Sequence, residues 1–202
     1  MPKHAKNEAQ ALLKSGALGI GEDHTKPDGR ILAIQLLNQP DLVKHLFVEL
    51  TVQHVFLLEQ AKALADAGRP LEEIERAAPN GGAFDCSITQ AKVIATALVN
   101  KIPVYAADDR TMARFPDNFK KRHMTIAAKF EEVTKVRNAR ANESAGCLLL
   151  WGSDHFVGKQ ELGKEPYPLE QFIEGLPYIV MGESDTDDSD SDDSGADDSD
   201  SD

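Results

Sequence analysis

Two of the six histidines in this 202-residue chain close a repeated pattern, Gly21-Glu22-Asp23-His24 and Gly152-Ser153-Asp154-His155. With 14 glycines and 6 histidines, chance alone gives roughly 0.4 Gly-x-x-His pairs in a chain of this length. Both copies follow a short apolar run, at residues 17–20 and 147–151. Glycine lets a strand turn sharply where a side chain would block a ligand, and the histidine three residues on points into the opening. Carboxylates stand at other run ends: Glu49 in LFVEL, and Asp108 and Asp109 in IPVYAADDR. A carboxylate is costly to bury there without a partner, and Arg137, in KVRNARAN, is a candidate partner. Such a set serves one of two chemistries. Nitrogen and oxygen ligands can hold a divalent metal that activates water, or a carboxylate can orient a histidine base while an arginine stabilises developing negative charge.

These residues converge only if the elements carrying them do. Apolar runs at 17–20, 46–50, 102–106, 147–151 and 178–181 are bounded by turn residues, as strands buried on both faces are. Helical patterns separate them. Asp28 is placed to cap a helix over 30–37. A stripe of Leu57, Leu58, Ala61, Leu64 and Ala65 marks 53–67, Pro70 opens a helix through Ala77, and Ser87 with Gln90 has capping-box spacing for a helix to about Asn100. Apolar residues at three- and four-residue steps predict a long helix over 117–144. Alternating strands and helices predict an α/β fold, a mainly parallel sheet of about five strands flanked by helices, in a single compact domain over 1–182. Ligands of such sheets bind beyond the carboxyl ends of the strands, where both Gly-x-x-His motifs fall.

The order ALGIGEDH, FVEL, IPVYAADDR, VRNARAN, LLLWGSDH resembles the superfamily that includes erythromycin esterases, ChaN-like haem-binding lipoproteins and the TIKI/TraB metalloprotease-like proteins. The resemblance spans about residues 16–181. It implies a hydrolase-like site with catalytic roles for Glu22, His24, Glu49, Arg137 and His155. It also implies a divalent metal at His24, Glu49, His155 and Asp108, or haem as the alternative occupant. Two further settings go with it: a haem or small-ligand binding protein without turnover, and a bacterial effector or toxin domain acting on a host component, secreted without a Sec signal. The substrate, a small molecule or a peptide, stays open.

Plainer roles compete for the same residues. Glu22 and Glu49 are also placed to pair with Arg30 and Arg137 in a salt-bridge network. Asp109 is placed to cap a following helix. His45, His54 and His123 lack a partner pattern and read as core or surface residues, Tyr105 and Trp151 as packing residues, and Lys120–Arg122 as a solvated helix face.

Charge and composition exclude several classes. The formal charge is -12, from 34 acids and 22 bases, and residues 183–202 hold eleven of those acids and no base. Removing the eleven leaves 23 acids against 22 bases in residues 1–182, so the domain is near neutral. A nucleic-acid partner is not expected. The Ser/Asp repeat of 183–202 predicts a disordered acidic tail that serves first in solvation and self-repulsion, with phosphorylation, loose divalent-cation binding or docking to a basic partner as alternatives. Two cysteines, Cys86 and Cys147, give no disulfide framework and fit a reducing, cytoplasmic setting. The first residues carry neither a signal-peptide core nor a membrane span, so no membrane partner is expected.

Overall fold

The structure is a computed structural model that describes residues 3–51, 54–80, 86–108, 117–157 and 168–181. The acidic tail, Asp109 and most of the 158–168 loop lie outside the described residues. Five strands form one sheet: β1 (Leu18–Glu22), β2 (His45–Thr51), β3 (Val104–Asp108), β4 (Cys147–Gly152) and β5 (Tyr178–Met181). They are ordered β3-β2-β4-β1-β5 and every pairing is parallel. The fold is the expected α/β architecture.

Among the described residues, seven α-helices flank the sheet: α1 (Lys3–Ser15), α2 (Asp28–Leu37), α3 (Val55–Asp66), α4 (Leu71–Ala77), α5 (Gln90–Val99), α6 (Asp117–Thr134) and α7 (Asp154–Val157). The strands bury both faces because their apolar residues divide by parity. Leu18, Ile20, Leu46, Val48, Leu148 and Leu150 pack under α1–α5, whereas Phe47, Leu149 and Trp151 pack with Ile126 and Phe130 of α6 and Phe156 of α7. Each crossover between parallel strands is right-handed as a rule. The chain winds one way through β1, β2 and β3, then reverses through β4 and β5, so α6 and α7 fall on the opposite face from α2–α5. The reversal puts the switch point between β1 and β4, which are neighbours with Glu22 in register with Gly152.

Local details depart from expectation for identifiable reasons. Pro27, not Asp28, occupies the N-cap of α2, and Asp28 is its first residue. Thr89 rather than Ser87 caps α5, accepting a hydrogen bond from the Lys92 amide at 3.0 Å. The long helix ends at Thr134 because Lys135, Asn138 and Ala139 adopt positive φ (61°, 60° and 44°), after which a 3-10 turn over Ala141–Glu143 leads into β4. α1 has no counterpart among the expected elements: its buried stripe is only Ala9 and Leu13, set among lysines and polar residues. Among the described residues, no helix is long and apolar enough to cross a membrane.

Candidate active site

The parity that divides the core also sends the two strand-end carboxylates to opposite faces. Glu22 follows Ile20 toward α2, and Glu49 follows Phe47 toward α6. Arg30 meets Glu22 with both prongs, Nε donating to Oε2 at 3.0 Å and NH2 to Oε1 at 3.0 Å, while its NH1 donates to the Ile88 carbonyl at 2.9 Å. Gly29 permits this approach, since a Cβ there would stand 2.8 Å from Glu22 Cβ. On the other face Arg122, one turn into α6, donates through NH2 to Glu49 Oε1 at 3.0 Å. Both glutamates are buried, so each charge is removed from water beside a guanidinium that compensates it.

His24 joins the two faces. Its Nδ1 donates to Glu22 Oε1 at 2.8 Å, and its Nε2 stands 3.6 Å from Glu49 Oε2. The ring lies over the end of β4, where Gly152 has no side chain to obstruct it: a Cβ on Gly152 would stand 2.9 Å from His24 Nε2. The Gly152 amide donates to Glu49 Oε2 at 3.1 Å, fixing the carboxylate beneath the ring. His24 is 31% exposed, and its pKa is raised above the ordinary 6.5, first by the hydrogen bond to Glu22 and then by the negative charges of Glu49 and Glu22, against an opposing effect of burial.

His155, on α7, approaches Glu49 from the other side. Its Nε2 is 3.6 Å from Glu49 Oε1 and 3.3 Å from Arg122 NH2, and its Nδ1 is 2.8 Å from Nε2 of the buried His123. The described network therefore runs Arg30, Glu22, His24, Glu49, then Arg122 and His155, then His123.

Four of the five expected catalytic residues, Glu22, His24, Glu49 and His155, are brought together. The fifth, Arg137, is not: it is exposed in the turn after α6, ahead of the amino end of β4. A helix crossing between parallel strands starts at their carboxyl ends and finishes at their amino ends, so a residue just before β4 is on the wrong edge. Arg122, at the start of the same helix, takes the place expected for Arg137. Arg122 is 12% exposed and engaged with Glu49, so Lys120–Arg122 is not simply a solvated face. Arg30 and His123 are likewise site residues. His123 falls on the inward stripe with Ile126 and Phe130, a spacing that marks it as facing the core. The side chain of Asp108 and all of Asp109 lie outside the described residues.

The expected metal set fits poorly. The Arg122 guanidinium stands within 3.3 Å of both Glu49 Oε1 and His155 Nε2, where a divalent ion bound to those atoms would meet a fixed positive charge. Among the described residues, no three His, Cys, Asp or Glu side chains are grouped to hold a metal ion. Burial pushes the Cys147 thiol up to about 12 and raises the Tyr105 phenol, which disfavours the anionic form of each.

No family model matches the chain, and no curated protein matches it. A solved structure described as "The structure of the type III effector HopBA1" is similar at 18% sequence identity, covering 86% of this chain and 79% of that chain with a TM-score of 0.45.

Proposed function

We propose that the site is an acid–base centre for hydrolysis, with His24 as the base that activates water. The observation that carries this reading is the placement of one partly exposed imidazole between two buried carboxylates, 2.8 Å from Glu22 and 3.6 Å from Glu49. Glu22 accepts the Nδ1 proton, so the neutral ring keeps its lone pair on Nε2, the nitrogen on the Glu49 side. A water molecule gives its proton to Nε2 as its oxygen bonds to an electrophilic carbon or phosphorus. The imidazolium that forms is stabilised by Glu22 and by Glu49, then returns the proton to the departing oxygen or nitrogen. Arg122 supplies positive charge at the Glu49 end, where an anionic intermediate is favoured. The raised pKa of His24 strengthens it as a proton acceptor but enlarges its protonated fraction, so activity is expected to rise as pH passes upward through the His24 midpoint.

We propose further that the chain shares the site plan of the superfamily it resembles, with Glu22, His24, Glu49 and His155 in that order and Arg122 in the role of the arginine. The convergence of these four residues supports that reading. Wild-type protein and His24→Ala are assayed against chromogenic carboxylic esters, phosphate esters and anilides, with thermal unfolding as the control. General acid–base catalysis is worth roughly 10²–10⁴-fold, and a loss of that order with Tm retained is expected. Equal rates for the two proteins across the panel overturn the assignment.

A further inference from the structure

His123 is fully buried on the inward stripe of α6, beside Ile126, Phe130 and the ring of Phe172 at 5.7 Å. An apolar residue would serve packing there at lower cost, since burial of an imidazole costs free energy wherever a ring nitrogen makes no hydrogen bond, as His123 Nδ1 makes none among the described residues. Its Nε2 lies 2.8 Å from Nδ1 of His155, with ring centroids 5.0 Å apart and planes at 52°, an edge-on approach suited to an N–H···N hydrogen bond rather than stacking. One proton must lie between the two nitrogens, and the far side of His155 decides which ring owns it. There Nε2 stands 3.3 Å from Arg122 NH2, and a guanidinium only donates, so Nε2 of neutral His155 is the acceptor. The His155 proton is then on Nδ1 and His123 Nε2 accepts it, which puts the proton of neutral His123 on its own Nδ1, a buried atom that makes no hydrogen bond among the described residues and so bears a cost for holding His155.

We infer that His123 is a positioning residue that holds His155 in its Nδ1–H tautomer, so that the Nε2 lone pair accepts from Arg122, the arginine paired with Glu49. Buried His155 thereby accepts from Arg122 and helps hold that guanidinium against Glu49, the carboxylate that His24 also faces. This deepens the acid–base reading and rests on it for its catalytic meaning, but the tautomer is measurable without turnover.

Long-range ¹H–¹⁵N spectra of the full chain labelled in histidine, assigned with single His→Gln variants, read each ring's tautomer near neutral pH. The expected result is His155 protonated at Nδ1 with a ¹⁵N–¹⁵N coupling across the hydrogen bond to His123 Nε2. His123→Gln, whose carbonyl can still accept, keeps the Nδ1–H form, and His123→Leu shifts His155 toward Nε2–H. An Nε2–H tautomer in the wild type, absence of the coupling, or an unchanged tautomer in a folded His123→Leu protein overturns the inference. Should His123→Leu fail to fold, the wild-type tautomer and coupling decide it alone. If the inference holds while no ester, phosphate ester or anilide is hydrolysed, the acid–base reading fails and the positioning role of His123 stands.

Discussion

His24 combines access to solvent with a fixed carboxylate on each side, so its titration is the direct test of the site. Its folded midpoint is expected above 6.5, measured by NMR of the ring protons. Glu22→Gln removes the largest cause of the rise and lowers the midpoint. The same change leaves Arg30 buried without its countercharge, at a stability cost of about 3–5 kcal/mol for breaking a buried pair. Linkage fixes the sign of the pH dependence. A raised folded pKa means that the bound proton contributes stability that is fully present below the unfolded value, about 6.5, and is lost as pH rises through the folded midpoint. His24→Ala should remove that component from a plot of unfolding free energy against pH. At this scale the sequence was informative where chemistry and position coincide: Glu22, His24, Glu49 and His155 all follow apolar runs. It misled at Arg137, where nearness to a strand counted and the edge of the sheet did not. Arg122 and His123 were hidden for a different reason. Their roles depend on which turn of α6 lies over the crevice, and the helical period alone gives only which side faces inward.

At the scale of elements, glycine does two separate jobs in the two motifs. Gly21 of the first packs near Ser153 and Phe156, and Gly19 before it would place a Cβ 2.3 Å from Phe156 Cε1, so the glycines of β1 make room for α7. Gly152 of the second leaves space for the His24 ring. The two substitutions should therefore separate. Gly19→Ala is expected to cost about 1–3 kcal/mol of stability by overpacking, in part relieved by Phe156→Leu. Gly152→Ala meets the movable end of a partly exposed side chain, so unfolding by denaturant should change little while His24-dependent activity falls. The strands were legible because a continuous apolar run between turns, too short for a buried helix, fits a strand covered on both faces. The end of α6 was not: the apolar repeat continues to Val136 and Ala139, but three residues in left-handed backbone stop the helix at Thr134. Nor was the capping of α5 by Thr89, since Ser is the more favoured cap and only the turn geometry selects Thr89 over Ser87.

For the whole molecule, the formal charge divides between a near-neutral domain and an acidic end. A chain stopped at residue 182 should keep its Tm while its charge changes from -12 to -1, measured by calorimetry and electrophoretic mobility. A chain stopped at residue 144 should show no cooperative unfolding at all, because it lacks β4. β1 and β2 do not touch as paired strands; each pairs with β4, which lies between them. The carboxylates of those two strands thus share a site only through a segment encoded about a hundred residues or more after them. During synthesis the amino-terminal two thirds leaves the ribosome with its central seam open, and His24 has no second carboxylate until the late strand slides into the gap. On the proposed acid–base reading, a translation product truncated before β4 is therefore expected to be inactive.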